Sequence, residues 1–319
     1  MHALVFHGFG GPEVLHLAEV PDPLPEGNEA LVRTHAIGLN FADIYRRQGR
    51  YHLVGAPPYI AGYEAAGVVE QAPAECGFRV GDRVAFADVP LANAERVAVP
   101  IDRLIPLPDD ISFETAAALL LQGLTAQYLL RDSHALRAGE SVLIHAAAGG
   151  VGQLLVQLSV AAGARVLALA STSDKCAVAR GAGAHSCSTY ADDWVAAAHA
   201  FAPGGVDVVF DSVGTTLQDS LHAVRIGGHV VFYGMAGGRP EPVDPSVLMD
   251  GSKSLTGGDL WNVLLTARDR RERAAELFAR VRDGSLKVTI DSRYALADGA
   301  AAHRHLESRS AVGKVLLIP

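Results

Sequence analysis

Residues 141–175 read SVLIHAAAGGVGQLLVQLSVAAGARVLALASTSDK, and this stretch decides how the middle of the chain folds. The apolar run SVLIHA is typical of a buried strand, and it ends at His145 in a turn of small residues. A helical pattern opens with Gly149 and leads to a second apolar run, RVLALA (165–170). A strand, a turn, a helix and a second strand in this order predict a right-handed crossover in a parallel sheet.

The small residues of the turn match a dinucleotide-binding fingerprint, with Ala147, Gly149 and Gly152 at its three small positions. Small residues are needed there because the backbone must approach a pyrophosphate closely. The amino terminus of the following helix then supplies free N–H groups and the positive end of a dipole. The turn is therefore predicted to bind a dinucleotide through Ala148, Gly149, Gly150, Val151 and Gly152.

The end of the second strand indicates which dinucleotide binds. An NAD-binding protein usually carries an acid there that holds the ribose hydroxyls, but this strand ends at Ala170. Ser171, Thr172 and Lys175 follow, two hydroxyls and a cation that suit a 2′-phosphate. Asp174 lies past the strand and is interpreted as part of a helix cap. The pattern predicts NADPH.

The chain changes character on both sides of this stretch. Up to about residue 112, short β-like runs are broken by Pro and Gly, which favours an all-β domain shaped as a partly open barrel. From 113 to 257, helices alternate with apolar strands, which predicts an α/β domain with a doubly wound parallel sheet. One of these predicted helices covers TLQDSLHAVRIGG (216–228). The segment 258–319 is predicted to return to the first domain and complete it.

Composition limits the classes of function. The 319 residues favour two domains, and a hydrophobic content of 49% with 19% charged residues is typical of a globular protein. The net charge of -8 offers no basic field for a nucleic acid, and no run approaches the roughly 18 apolar residues of a membrane span. Three cysteines, Cys76, Cys176 and Cys187, form no CxxC pair and are predicted to be reduced thiols in a cytoplasmic protein.

Several motifs along the chain together resemble one family. They are GPEVL (11–15), AIGLNFADIYRRQGRY (36–51), GYEAAGVV (62–69), GDRV (81–84), AAAGGVG (146–152), DSVG (211–214) and LESRSAVGKVLLIP (306–319). In this order they resemble the quinone oxidoreductase branch, including zeta-crystallin relatives, of the medium-chain dehydrogenase/reductases. The resemblance covers nearly the whole chain. It implies a GroES-like substrate domain built from both chain ends, a central Rossmann domain, and a cleft between them that holds NADPH.

The same resemblance implies an activity. The leading hypothesis is NADPH-dependent reduction of a quinone, by one or two electrons, without zinc. One alternative is an enoyl or 2-alkenal reductase that acts on activated C=C bonds. Another is an NADPH-binding, crystallin-like protein whose reductase activity is incidental. The resemblance further implies a homodimer joined through the cofactor domains, which would cover an exposed sheet edge.

The residues at two family positions argue against a metal. Zinc alcohol dehydrogenases of the superfamily carry a cysteine where this chain has Asn40 and a histidine where it has Tyr63. Neither is a usual zinc ligand, whereas zinc takes about four N, S or O donors in a tetrahedral array. No metal site is therefore predicted. Glu64, which follows Tyr63 among small residues, is interpreted as a structural acid.

Without a Lewis acid, the acceptor oxygen must be polarised by hydrogen bonds or water. The resemblance places Asn40, Tyr45 and Tyr51 beneath the nicotinamide. Asn40 is predicted to hydrogen-bond the cofactor or the acceptor, and the two tyrosines are predicted to line the pocket, where a phenol can donate a proton at neutral pH. The alternative stays open that Asn40 is a helix cap and the tyrosines are only walls.

Further cofactor contacts carry over from the family by position alone. Thr125 and Ser212 match positions on the nicotinamide side, and Tyr190 matches one on the adenine side. Phe232, Tyr233 and Gly234 match a second nicotinamide-side loop. Lys314 is predicted to add positive charge near the cofactor, and the alternative stays open that it is an ordinary lysine at a strand edge.

Overall fold

The computed structural model describes residues 1–51 and 55–319. The chain forms two compact units: unit 1 comprises Met1–Leu124 and Leu264–Pro319, and unit 2 comprises Thr125–Val263. The boundary between the units falls inside a helix, and the domain boundaries at residues 112 and 257 stay predictions. Within the described ranges, no helix is long and apolar enough to cross a membrane.

The first part of unit 1 consists mainly of short strands, as its Pro- and Gly-broken pattern predicts. The strands are β1 His2–Phe6, β2 His16–Glu19, β3 Glu29–Leu39, β4 Tyr59–Ile60, β5 Glu64–Gln71, β6 Arg83–Ala87, β7 Arg96–Pro100 and β8 Ile105–Pro106. Two helices join them, α1 Phe41–Arg47 and α2 Phe113–Tyr128, the second of which crosses the unit boundary.

Unit 2 alternates strands with helices. Its strands are β9 Ser141–Ile144, β10 Arg165–Ala170, β11 Ser186–Thr189, β12 Val206–Asp211, β13 Val224–Phe232 and β14 Ser254–Gly257. Its helices are α3 Gly150–Ala161, α4 Ser173–Gly181, α5 Trp194–Phe201, α6 Leu217–Ala223 and α7 Pro245–Asp250.

The six strands of unit 2 form one parallel sheet in the order β11-β10-β9-β12-β13-β14. The first strand along the chain, β9, is central, and the order reverses between β9 and β12. In open α/β sheets a ligand binds at such a point, outside the carboxyl ends of the strands. The glycine turn that follows β9 therefore lies at the switch point of the sheet.

The start of β13 differs from the sequence prediction. TLQDSLHAVRIGG (216–228) suggests one helix, but α6 ends at Ala223 and β13 begins at Val224. Val224 pairs with Val206 of the neighbouring strand, where a bulge shifts the register. Two β-branched residues before a glycine pair favour extended backbone, and the pairing with β12 outweighs the local helical period.

The last part of the chain completes unit 1. It contains α8 Ala267–Arg282, β15 Ile290–Ala295, α9 Gly299–Glu307 and β16 Lys314–Ile318. Strand β16 pairs antiparallel with β3, so the larger sheet runs β15-β16-β3-β5-β6-β8, with β7 also paired to β3. A smaller sheet has the order β2-β1-β4. The two ends of the chain thus share one hydrophobic core, in which Leu4, Ile37 and Leu317 are fully buried.

The cysteines also differ from the prediction. Cys176 and Cys187 form a disulfide with a Cα–Cα distance of 5.5 Å, and Cys76 is a free thiol. The prediction of three reduced thiols is therefore wrong for two of them. Sequence spacing could not reveal this pair, because α4 and β11 are brought together only by packing in unit 2.

Candidate functional site

The glycine turn of unit 2 lies between β9 and α3, with Gly149 as the N-cap residue of the helix. Gly152 meets this turn so closely that an added Cβ atom would lie 2.3 Å from the carbonyl oxygen of Ala146. Only glycine fits there. Gln153 donates from Nε2 to the carbonyl oxygen of Ala148 at 2.8 Å and so braces the turn from the helix side. The amino terminus of α3 is thus built to receive an anion.

A buried network of hydrogen bonds connects the glycine turn to the neighbouring strands. The backbone N–H of Ala146 donates to the Tyr190 hydroxyl at 2.9 Å, and Nδ1 of His145 lies 3.2 Å from the same oxygen. On the other side of the ring, Nε2 of His145 lies 3.0 Å from Oγ of Ser220, which donates to Oδ2 of Asp211 at 2.7 Å. The network links the carboxyl ends of β9, β11 and β12 to the turn.

The charge states in this network follow from burial. Burial lowers the pKa of His145, so the imidazole is neutral. Burial disfavours the charged form of Asp211, but hydrogen bonds from Gly214, Ser220 and Thr216 hold the pKa of its carboxyl below its usual value. Sequence reasoning missed His145 and Asp211. The available signals were a histidine at the end of a strand and the aspartate of the DSVG motif.

The structure brings Ser171, Thr172 and Lys175 together at the carboxyl end of β10. Thr172 is the N-cap residue of α4, and its Oγ1 accepts a hydrogen bond from the backbone N–H of Lys175 at 3.3 Å. The cap is therefore Thr172 and not Asp174, which is exposed in the first turn. The hydroxyls and the cation lie at the end of the strand, as a 2′-phosphate site requires.

The carboxyl ends of β12 and β13 bring the other predicted residues of unit 2 together. The backbone N–H of Tyr233 donates to the Asp211 carbonyl at 2.9 Å, and that of Ala236 donates to the Ser212 carbonyl at 3.0 Å. Gly234 packs so closely on Ser212 that an added Cβ would lie 3.1 Å from its carbonyl oxygen. Phe232 ends β13, and Thr125 is buried in α2.

Unit 1 contains a second polar centre, around the fully buried carboxylate of Glu64. Lys314, at the start of β16, forms an ion pair with Oε1 of Glu64 and also donates to Oδ1 of Asn40 at 2.8 Å. Nδ2 of Asn40 donates to Oε1 of Glu64 at 2.8 Å, and the backbone N–H of Leu121 donates to Oε2 at 2.8 Å. Glu64 therefore joins β5, β16, α2 and the start of α1.

A small residue is required at Gly38, next to Glu64, for a steric reason. An added Cβ at Gly38, on β3, would lie 2.4 Å from Oε1 of Glu64 and 2.2 Å from the carbonyl oxygen of Ala117. Burial lowers the pKa of Lys314, while the Glu64 carboxylate opposes that shift. The ammonium group of Lys314 is held by Glu64 and Asn40, and its predicted contact with a cofactor stays a prediction.

Asn40 is the N-cap residue of α1, and its backbone N–H donates to Oδ2 of Asp43 at 2.7 Å. Asp43 is fully buried, and among the described residues its Oδ1 has no hydrogen-bond partner. Burial raises the pKa of Asp43 to about 7, against the opposing effects of the Asn40 hydrogen bond and the Lys314 charge. The Asp43 carboxyl group therefore titrates near neutral pH.

Three tyrosines lie beside this centre. The rings of Tyr45 and Tyr51 are 6.3 Å apart, and the rings of Tyr51 and Tyr63 are 5.8 Å apart. The guanidinium of Arg46 lies 5.6 Å from the centre of the Tyr63 ring. Burial raises the pKa of Tyr63, so its phenol stays neutral. The structure thus places the predicted Tyr45 and Tyr51 in one cluster, and Tyr63 connects them to Glu64 along the chain.

Asn40 and Tyr63, at the two positions of the family's zinc ligands, do not fit zinc. The Asn40 amide is engaged by Glu64, Gly38 and Lys314, and the Tyr63 phenol is neutral and buried beside a guanidinium. The cation that compensates Glu64 is the Lys314 ammonium. In the described parts of the chain, no group of three His, Cys, Asp or Glu side chains could hold a metal ion.

Comparisons with known proteins agree with this architecture. Residues 26–137 match the family described as "Alcohol dehydrogenase GroES-like domain", and residues 150–280 match the family described as "Zinc-binding dehydrogenase". The chain is 40% identical to a quinone oxidoreductase of Pseudomonas aeruginosa over 98% of both chains. It is 37% identical to a 2-haloacrylate reductase of a Burkholderia species over 99% of this chain and 98% of that protein.

A solved structure is similar over its full length. The structure of Escherichia coli quinone oxidoreductase complexed with NADPH has a TM-score of 0.96 and 36% identity, and the match covers 100% of both chains. Identities of this size over the whole chain also confirm the predicted α/β fold class, a GroES-like domain with a Rossmann-type parallel sheet. The chain belongs to the quinone oxidoreductase branch of the medium-chain dehydrogenase/reductase superfamily.

Proposed function

We propose that the protein is an NADPH-dependent reductase that transfers a hydride to a quinone without zinc. The observation that carries this proposal is the glycine turn at the switch point of the unit 2 sheet, at the amino terminus of α3. NADPH, when bound, supplies the hydride. The relatives named quinone oxidoreductase, one of them solved with NADPH, support the choice of cofactor and acceptor.

Unit 2 would hold the cofactor. The close approach of Gly152 to Ala146 leaves room for a pyrophosphate at the amino terminus of α3. Ser171, Thr172 and Lys175 would bind the 2′-phosphate, because β10 ends without an acid. Tyr190 would lie on the adenine side. The loops after β12 and β13, and Thr125, would lie on the nicotinamide side.

Unit 1 would supply the polar groups for the acceptor. Both N–H groups of the Asn40 amide are donated within unit 1, to Glu64 and Gly38, so the amide has no N–H left for a quinone oxygen, and we assign Asn40 to accept a hydrogen bond from the cofactor through Oδ1. Lys314 orients that oxygen. Tyr45 and Tyr51 would line the acceptor site, and a phenol or solvent water completes the protonation of the product.

The cofactor assignment is tested with Lys175→Ala. We expect the Kd for NADPH to rise about tenfold or more, and the Kd for NADH to change little, because a charged hydrogen bond to the 2′-phosphate is lost. Fluorescence titration measures both constants. Lys287→Ala, which removes an exposed lysine of unit 1, is the matched control. Equal losses for the two cofactors would contradict the assignment.

The activity is tested by following NADPH oxidation with 1,4-naphthoquinone. A steady turnover that depends on the quinone supports the proposal. Binding of NADPH without turnover, on any of a panel of quinones and enones, would favour the alternative of a cofactor-binding protein with incidental activity.

A second candidate is a reductase of activated C=C bonds, since one relative is named 2-haloacrylate reductase. The cofactor site would be the same, and only the acceptor would differ. We compare kcat/KM for naphthoquinone with kcat/KM for 2-chloroacrylate and for a 2-alkenal. If kcat/KM is higher for either alkene than for naphthoquinone, the C=C reductase assignment replaces the quinone assignment.

We also propose a cytoplasmic homodimer joined through the cofactor domains. Strand β14 lies at one edge of the unit 2 sheet, and its residues are exposed or half-buried. Pairing of this edge with a second copy would cover its backbone groups. Light scattering after gel filtration gives the mass in solution, and a monomer at micromolar concentration would contradict this assembly.

A further inference from the structure

The disulfide of unit 2 lies among the residues assigned to the adenosine end of the cofactor. Cys176 directly follows Lys175 in α4, and Cys187 belongs to β11, which leads into Tyr190. Their Cα atoms are 5.5 Å apart. The bond therefore connects α4, whose first residues are assigned to the 2′-phosphate, to the edge strand β11. Strand β11 is followed by Tyr190, which is assigned to the adenine side.

The two sulfur atoms differ in access. Cys176 is 3% exposed, whereas Cys187 is half-buried on the edge strand. A small disulfide must reach the attacking sulfur from solvent. After reduction, the more accessible Cys187 is therefore the thiol that reacts first, and Cys176 is the one that closes the bond.

We propose that Cys176 and Cys187 form a reversible thiol–disulfide site whose reaction partners are low-molecular-weight disulfides and thiols. The Cys187 thiolate attacks one sulfur of the small disulfide, which forms a mixed disulfide and releases one thiolate. The Cys176 thiolate then attacks Cys187 and releases the second thiolate. Two electrons pass from the cysteine pair to the small disulfide, whose two halves leave as thiols carrying the two cysteine protons.

The consequence is a change in cofactor affinity, and this step rests on the NADPH site proposed above. The bond holds α4, with Thr172 as its N-cap and Lys175 in its first turn, against β11. It also limits the movement of Tyr190, whose hydroxyl accepts the Ala146 N–H of the glycine turn. A site ordered before binding loses less conformational entropy on binding. The oxidised protein therefore binds NADPH more tightly than the reduced protein.

The experiment uses the full chain with Cys76→Ser, which removes the remaining thiol. The protein is prepared with dithiothreitol or with oxidised glutathione, and mass spectrometry after alkylation counts the free thiols. We expect two alkylated cysteines in the reduced sample and none in the oxidised one. Reduction should raise the Kd for NADPH by about threefold to tenfold. The Kd for NADH should change less, because NADH has no 2′-phosphate for Lys175.

The control is Cys187→Ser in the same background, with circular dichroism to show that it folds. Its Kd for NADPH should equal that of the reduced protein and should not respond to glutathione. Equal Kd values in the two redox states, or thiols that do not close with oxidised glutathione, overturn the proposal while leaving the NADPH site intact. Absence of NADPH binding in both states overturns the cofactor site and this inference together.

Discussion

At Gly152, helix α3 lies too close to the glycine turn to leave room for a side chain. A Cβ atom 2.3 Å from the Ala146 carbonyl forces the turn to move, and overpacking of this kind costs about 1–3 kcal/mol. Gly152→Ala is therefore expected to raise the Kd for NADPH about tenfold or more. Fluorescence titration measures the change.

A glycine without such a neighbour serves as the control for Gly152→Ala. At Gly181, the last residue of α4, an added Cβ meets no atom within 4 Å. Gly181→Ala should keep the Kd for NADPH, with a small gain in stability because alanine favours helix. If the two variants bound NADPH equally well, the turn would not be the pyrophosphate site.

The buried carboxyl group of Asp43 predicts a pH dependence of the stability of the protein. Burial raises the pKa of this group to about 7 in the folded protein, from an ordinary value of 3.8. Between these values the folded state binds more protons than the unfolded state, so this carboxyl lowers stability as pH rises and has no further effect above about 7. From pH 5 to pH 8 the loss is about 2–3 kcal/mol.

Asp43→Asn isolates this effect, because its amide oxygen can still accept the Asn40 N–H. We expect the free energy of unfolding of the variant, relative to the wild type, to increase by about 2–3 kcal/mol between pH 5 and pH 8. Urea denaturation at the two pH values measures it. Parallel pH profiles for the two proteins would show that Asp43 is not buried as a neutral acid.

At the scale of elements, the ion pair of Glu64 with Lys314 joins strands from distant parts of the chain. Strand β16 supplies the ammonium, β5 supplies the carboxylate, and the backbone of α2 donates to the same carboxylate through Leu121. Neither partner reaches solvent, so each depends on the other for compensation of its charge. These elements can therefore pack together only when neither charged residue is buried without the other.

Lys314→Met tests this dependence. Leaving the Glu64 carboxylate without its cation should lower the free energy of unfolding by about 3–5 kcal/mol. The double variant Lys314→Met with Glu64→Gln should recover much of that loss, since no buried charge remains. Lys287→Met, at an exposed site, is the matched control. Urea denaturation compares the four proteins, and a neutral effect of Lys314→Met would show that the pair does not stabilise unit 1.

At the scale of the whole molecule, unit 1 is assembled from both ends of the chain, and unit 2 is one continuous segment between them. A ligand that binds only the folded protein stabilises it by an amount set by its concentration relative to Kd. At a hundred times the Kd, NADPH should add about 2.7 kcal/mol to the free energy of unfolding. Thermal unfolding with and without cofactor measures this, with Gly152→Ala as the control. Absence of a shift in the wild type would contradict the cofactor assignment.

The sequence by itself determined the features that depend on neighbours along the chain. Residues 141–175 predict β9, the turn, α3 and β10, because each pattern lies within one element. The end of β10 at Ala170, with no acid, and the start of α1 after its N-cap Asn40 are likewise local. These signals sufficed for the fold class and for predicting the residues at the pyrophosphate and the 2′-phosphate, whereas the other cofactor contacts came from the family resemblance.

Only the tertiary structure decided which distant side chains meet. Lys314 and Glu64 are 250 residues apart in sequence, and Lys314 and Asn40 are 274 apart, so no local pattern relates them. The Cys176–Cys187 bond and the start of β13 at Val224 likewise depend on how elements pack and pair. The physical reason is that a buried charge or a thiol acquires its partner from packing, whereas a turn or a cap is specified by the residues that form it.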